Sequence, residues 1–169
     1  MRKSIGLVLQ EPFLYHGTIA SNIRMYHEEL TDEEIRQAAA FVDVADFIES
    51  LPGDYDHPVT ERGSTLSTGQ RQLLAFARTI AAQPKILILD EATANIDQET
   101  EDMIQNSLKK MRQGRTTIAI AHRLSTIQDA DCIYVLDKGK IIESGNHDQL
   151  IALGGTYKKM YDLQAGMMK

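Results

Sequence analysis

The sequence has few of the features that mark secreted, membrane-spanning or disulfide-linked proteins. Its one cysteine, Cys132, excludes an internal disulfide and a cysteine metal cluster, and it fits a reducing compartment. No apolar run approaches the roughly 18 residues that a membrane-spanning helix needs, and the apolar stretch 5–9 is too short for a signal peptide. These absences predict a soluble intracellular chain, joined to a membrane only through a partner or through sequence outside these residues.

Clusters of positive charge are also missing. The net charge is −6 and lysine and arginine form no block, so the sequence gives no reason to expect a nucleic-acid partner. The hydrophobic share of 43% and the charged share of 25% are ordinary for a soluble globular protein. A chain of 169 residues is long enough for one domain with a buried core.

Short apolar runs along the chain predict β-strands. The runs Ile5–Leu9, Ile86–Leu89 and Thr116–Ala121 each predict a strand buried inside a sheet. Cys132–Leu136 and Lys140–Glu143 flank an Asp-Lys-Gly turn and predict a hairpin, after which two short helices end the chain.

Helical patterns fill most of the sequence between the first two strands. Residues from about 19 to 78 read as helical, with a loop over 54–65. Capping boxes at 31–34 and 67–70 predict two helix starts, and Asp97 caps a further helix that follows the second strand. Strands alternating with helices predict an α/β sheet with a helical insert after its first strand.

Polar residues follow three of the predicted strands, where α/β sheets bind their ligands. Asp90 and Glu91 end the second strand; Asp90 could hold Mg²⁺ and Glu91 could orient or deprotonate a water molecule. His122 ends the third strand and could contact a phosphate or Glu91, and Gln10 ends the first. The alternative is a strand that merely ends in two solvated acids, beside a structural histidine.

A second element, Leu66–Gln70, is suited to phosphate. Ser67 caps a helix whose free N–H groups and positive dipole end favour an anion, and Gly69 allows close backbone approach. Taken alone, the pentapeptide could equally be an ordinary capped helix.

In order, these elements resemble the ABC ATPase family over nearly the whole chain. The resemblance runs from the Q-loop (Gln10) through the signature motif (66–70), Walker B (86–91) and the D-loop (94–97) to the H-loop (His122). It implies a P-loop NTPase-like α/β fold: a partial parallel sheet flanked by helices, with a helical subdomain at about 11–82. Residues 1–10 and 83–169 would then be the remainder of a RecA-like core.

The resemblance also implies roles for individual residues. Asp90 and Gln10 would hold Mg²⁺, while Glu91 would be the catalytic base and His122 the switch histidine. The signature residues would bind the γ-phosphate of ATP held by a second ABC ATPase subunit, and Asp97 would lie at the interface with that subunit. These signature residues are Ser67, Thr68, Gly69 and Gln70.

Two further segments resemble exporters rather than importers. Val59–Gly63 is similar to the exporter loop that contacts the membrane domains, and Gly17–Ile23 is also exporter-like. The resemblance thus implies an ATPase of a multidrug, lipid or peptide exporter. Its partners would be transmembrane domains, and it would work at the cytoplasmic face of the cell membrane.

The sequence departs from the family pattern in two places. The Walker A pattern is absent: Gly139-Lys140 is the only Gly-Lys pair, but Ile141 and Tyr134 stand where Ser or Thr and the first Gly are needed. We therefore expect a C-terminal fragment that does not hydrolyse ATP alone. Thr68 stands where the commonest form of the signature has glycine. This replacement either indicates a heterodimer of two unlike subunits or is tolerated with full activity.

Two other functions remain open at this point. One is a regulatory or interaction module without catalysis. The other is the C-terminal lobe of a split ATPase of the chromosome-maintenance or repair type. The second is disfavoured because no heptad pattern precedes the signature.

Overall fold

The computed structural model describes residues 4–25, 27–90, 97–121 and 123–166. It divides into two compact units, Met1–Ile120 and Ala121–Lys169. Among the described residues, no helix is both long and apolar enough to cross a membrane.

A three-stranded parallel sheet forms the base of the first unit. Strands β1 (Ile5–Val8), β4 (Ile86–Asp90) and β5 (Thr116–Ile120) lie in the order β1-β4-β5. Ile5 pairs with Ile86, and Ile86 pairs with Thr116. The sequence prediction of three strands is confirmed, and their parallel alignment brings their carboxyl ends to one edge.

The burial of this sheet differs from the prediction. Leu87 and Leu89 of β4 are buried, whereas Ile118 and Ile120 of β5 are 57% and 55% exposed. The side chains of β1 alternate in the same way, with Val8 buried and Leu7 exposed. The prediction that all three strands are buried was therefore wrong for the described residues, because helices cover one face of the sheet and leave these side chains on the other face accessible.

Four helices form the insert between β1 and β4. Their bounds are α1 (Ile19–Arg24), α2 (Asp32–Phe41), α3 (Ala45–Glu49) and α4 (Thr68–Ala81). The predicted capping boxes are both present, at Thr31 with Glu34 and at Ser67 with Gln70. A third box, formed by Thr18 and Ser21, starts α1 and was not predicted.

The insert also contains a small antiparallel pair that the sequence did not suggest. Strand β2 (Gly17–Thr18) pairs with β3 (Pro58–Val59), and short 3₁₀ turns occupy Asp54–Asp56 and Glu61–Gly63. The predicted loop over 54–65 is thus partly ordered by a partner 40 residues earlier in sequence. Neither strand is long enough to show a period of two.

Helix α4 packs closely against the sheet and against helix α5 (Gln98–Arg112). A side chain at Gly6 of β1 would lie 2.6 Å from the Thr79 methyl group of α4, so the glycine permits this approach. Phe76 of α4, together with Ile104 and Met111 of α5, is fully buried. Most of α4 is therefore interior, with its N-terminal turn left at the surface.

The second unit is a hairpin with two helices. Strands β6 (Ile133–Asp137) and β7 (Lys140–Gly145) are antiparallel, as predicted, and are followed by α6 (His147–Leu153) and α7 (Thr156–Gln164). Lys138 and Gly139 both have positive φ, of 48° and 75°, as a tight two-residue hairpin turn requires. Leu124, Ile133, Leu150 and Tyr157 form the buried cluster of this unit.

The start of α7 is capped from a distance by Glu143 on β7. Its carboxylate accepts hydrogen bonds from the backbone N–H groups of Tyr157, at 3.0 Å, and Thr156. These bonds, Tyr157 first, hold the pKa of Glu143 below its ordinary value of 4.5. The charged carboxylate therefore stabilises the folded unit.

We expect Glu143→Gln to destabilise this chain at pH 7 and to matter less in acid. Because the pKa of Glu143 is lowered by folding, its contribution is complete above the unfolded pKa of 4.5 and is lost as pH falls through the folded value. Urea unfolding at about pH 7 and about pH 3 would measure the difference between wild type and variant. A difference that stays constant across this range would contradict the capping role.

Candidate functional site

The carboxyl edge of the parallel sheet carries two of the predicted site residues. Val8 of β1 pairs with Leu89 of β4 in parallel strands. Gln10 and Asp90 come just after this pair, so both lie at the carboxyl edge of the sheet. Gln10 is exposed and Asp90 is partly exposed, which leaves the oxygen atoms of both accessible to a ligand. Glu91 and His122, the predicted base and switch histidine, lie outside the described residues.

The donors at this edge suit a hard cation. An amide oxygen from Gln10 and a carboxylate from Asp90 are the kind of ligands that Mg²⁺ takes in proteins, usually one or two, with phosphate oxygens and water completing the site. Among the described residues, no group of three or more His, Cys, Asp or Glu could hold a metal ion without such help. The residues present thus fit Mg²⁺ bound together with a nucleotide.

The N-terminus of α4 is organised by the signature residues themselves. Ser67 Oγ accepts from the Gln70 N–H at 3.2 Å, and Gln70 Oε1 accepts from the Ser67 N–H at 2.9 Å. The Ser67 hydroxyl proton is not used in this pair, so it is available for an incoming acceptor. Ser67 and Thr68 are exposed, at the positive end of a helix of 14 residues.

Thr68 is accommodated without distortion of this turn. It is the first residue of α4, and its hydroxyl accepts from Arg71 at 3.0 Å. Arg71 also donates to the carbonyl group of Leu66 at 2.6 Å. The Thr68 side chain is thus connected to the Leu66 carbonyl group of the same turn through Arg71.

Gly69 is needed by the packing of two helices. A Cβ atom at this position would lie 2.1 Å from Thr100 Cγ2 in the first turn of α5, closer than any side chain could tolerate. Asp97 caps α5 by accepting from the Thr100 N–H at 2.9 Å. That bond and the Thr100 hydroxyl hold the pKa of the Asp97 carboxyl below its usual range. The first turns of α4 and α5 therefore contact each other, with Ser67 and Asp97 as their caps.

Three residues that organise the insert between β1 and β4 were missed at the level of sequence: Asn22, Arg71 and Arg78. Asn22 is 3% exposed and is bonded to the backbone of Tyr15. Arg78 lies in the mostly buried run of α4 and donates to the carbonyl group of Asn22 at 2.7 Å. The arginine within the mostly apolar stretch 73–81 was an available signal, because a charged residue in such a run needs partners.

A comparison with protein families matches residues 1–94 to the family described as ABC transporter. Among solved structures, a bacterial Atm1-family ABC exporter with ATP bound is similar, with a TM-score of 0.87 and 43% identity. The match covers 97% of this chain and 29% of that one.

Curated relatives agree with this match. An ABC transporter ATP-binding protein named exp8, from Streptococcus pneumoniae, is 76% identical over 99% of this chain. The ATP-dependent lipid A-core flippase of Saccharophagus degradans is 47% identical over 97% of it. The chain spans 29% and 28% of the length of these two relatives. By its family match, its relatives and its fold, the chain belongs to the ABC transporter family and is similar to the ATP-binding part of exporters.

Proposed function

We propose that this chain is part of the nucleotide-binding domain of an ABC exporter and lies at the cytoplasmic face of a cell membrane. The complete protein hydrolyses MgATP between two head-to-tail ATPase subunits and uses their closure to drive export through transmembrane domains. The observation that carries this proposal is the parallel alignment of β1 and β4, which brings Gln10 and Asp90 to one edge of the sheet. Residues 11–82 serve as the helical subdomain, and 1–10 with 83–169 as the rest of the catalytic core.

At the carboxyl edge, this chain's residues hold and orient the reactants. Asp90 and Gln10 would hold Mg²⁺, which would neutralise charge on the phosphate oxygens. Glu91, next to Asp90 in sequence, positions the attacking water and accepts its proton, and His122 contacts the γ-phosphate.

The signature turn acts on the nucleotide held by the other subunit. The exposed Ser67 hydroxyl and the free N–H groups at the start of α4 donate to that γ-phosphate, and the helix dipole adds to the attraction. Asp97, which caps the neighbouring helix, contacts the partner subunit. The second subunit is either another copy of this protein or an unlike ABC ATPase subunit.

A direct test is the binding of MgATP to this chain by titration calorimetry at high protein concentration. We expect no detectable binding, because the chain lacks the glycine-rich loop and lysine that hold the β- and γ-phosphates. An N-terminally extended protein that includes a Walker A sequence is the matched control and should bind. Micromolar binding to the 169-residue chain would mean that another element holds the phosphates.

A further inference from the structure

The segment Phe13-Leu14-Tyr15 has no regular secondary structure and is held by three different elements. The carbonyl oxygen of Phe13 accepts from Arg78 Nη1 of α4 at 2.9 Å. The carbonyl oxygen of Leu14 accepts from the Arg62 N–H at 3.0 Å. The Tyr15 carbonyl oxygen accepts from Asn22 Nδ2 of α1 at 2.9 Å. The carbonyl groups of this segment are therefore satisfied by two side chains and one loop N–H group, and not by the hydrogen bonds of a β-sheet.

The side chains of this segment alternate between the core and the surface. Leu14 is fully buried, whereas Phe13 and Tyr15 are 41% and 46% exposed. The two exposed rings contact each other edge to face, with their centroids 4.9 Å apart. Leu14 therefore anchors an aromatic pair that faces outward.

Asn22 uses its whole hydrogen-bonding capacity on this structure. Its Oδ1 accepts from the Tyr15 N–H at 2.8 Å and from Arg78 Nη2 at 3.1 Å. Its Nδ2 donates to the carbonyl oxygens of Tyr15 and Thr18. A buried amide with four partners fixes the geometry of the groups around it, since any shift leaves a polar group without a bond.

Arg78 connects this network to α4. Its Nε donates to the Asn22 carbonyl oxygen at 2.7 Å while its two terminal nitrogens bond Phe13 and Asn22 Oδ1. Its guanidinium carbon lies 5.9 Å from the centre of the Tyr15 ring. The planar fork of arginine reaches these separate acceptors together, whereas a lysine offers a single charged point.

Arg78 and the signature residues lie on one uninterrupted helix, Thr68–Ala81. At 1.5 Å per residue, Arg78 is about 16 Å along the axis from Ser67. Rigid secondary elements can carry coupling between distant sites, so a displacement of the N-terminal turn of α4 would also displace the guanidinium group of Arg78.

We propose that Arg78, together with Asn22, is a positioning residue that transmits movement of the signature end of α4 to the Phe13–Tyr15 aromatic pair. This proposal rests on the proposed function, in which the signature turn responds to nucleotide. The aromatic pair is the moving surface, and the three guanidinium bonds are the link between it and the helix.

The first experiment is amide hydrogen exchange on this chain, and it does not depend on ATP. In Arg78→Met we expect the Tyr15 and Arg62 amides to exchange at least tenfold faster, with the Leu74 amide of α4 unchanged. Arg78→Lys keeps the charge and should also accelerate Tyr15. The matched control is Arg36→Met on α2, whose guanidinium group lies 4.4 Å from the centre of the Tyr55 ring. Equal exchange at Tyr15 in both methionine variants would overturn the proposal.

The second experiment uses the full-length protein in phosphatidylcholine vesicles. Two quantities are measured: the rate of MgATP hydrolysis, and the rate at which trypsin cleaves the transmembrane domains. The cleavage rate is measured with and without MgATP and vanadate, and the difference is the cleavage change. In Arg78→Met we expect hydrolysis within about twofold of wild type but at least a fivefold smaller cleavage change. A merely structural role predicts that both fall in parallel, and that result would overturn the proposal. If Glu91→Gln hydrolysed MgATP as fast as wild type, the proposed function would be contradicted. The hydrogen-exchange comparison of Arg78→Met with Arg36→Met would then test the positioning role of Arg78 by itself.

Discussion

Replacement of Glu91 by glutamine in the full-length protein is expected to lower MgATP hydrolysis by a factor of about 10² to 10⁴, the usual contribution of a general base. Glutamine keeps the size of the side chain but cannot accept the proton of the attacking water. MgATP binding should stay within a few-fold of wild type, because in the proposed site the cation is held by Asp90 and Gln10 and not by Glu91. Steady-state hydrolysis and equilibrium nucleotide binding on the same preparation measure the two effects.

The matched control for this variant is Glu99→Gln. Glu99 is an exposed carboxylate in the first turn of α5, so the substitution makes the same change in charge eight residues further along the sequence. We expect its hydrolysis rate to equal that of wild type. If Glu91→Gln also hydrolysed MgATP at a near-normal rate, Glu91 would not be the base.

Gly69→Ala is expected to destabilise this chain by about 1–3 kcal/mol, the usual cost of overpacking a well-filled interior. The direction of this change in unfolding free energy is informative, because alanine normally stabilises a helix relative to glycine by up to about 1 kcal/mol. Here the added Cβ would lie 2.1 Å from Thr100 Cγ2. Thr100 cannot easily turn away, since its β-branched side chain is stiff and bonds Asp97.

A double-mutant cycle with Thr100→Ser isolates this contact. Serine keeps the hydroxyl group on Asp97 but removes Cγ2, after which the next neighbours of an alanine at Gly69 are 3.4 Å away or more. In the Thr100→Ser background we expect Gly69→Ala to be neutral or stabilising, as measured by urea unfolding. The same loss of stability in both backgrounds would show that the Thr100 methyl group does not decide the effect.

Local signals in the sequence were sufficient for most of the elements. The capping boxes at Thr31 and Ser67 and the cap at Asp97 each involve groups within three residues, so the pattern alone locates the helix start. The apolar run Ile86–Leu89 predicted a strand of a parallel sheet, and the alternation of strands with helices predicted the α/β class.

Contacts between distant residues were not accessible in the same way. The pairing of β2 with β3, the contact of Gly69 with Thr100, and the bonds from Arg78 to Phe13 join residues about 30 to 65 positions apart. The alternation of burial in β4 was also hidden, because an all-apolar strand has no polar residues to distinguish its two faces.

The pairing of β1 with β4 has a consequence for the order of events during synthesis. Ile5 finds its partner only when Ile86 has been made, so at about 5–20 residues per second β1 waits several seconds while the helical insert emerges. The contacts within the insert, such as Leu14 in its core and Arg78 on Phe13, can form before the sheet does. An insert that is already ordered would bring β1 and β4 closer together and so lower the entropy cost of closing the loop between them.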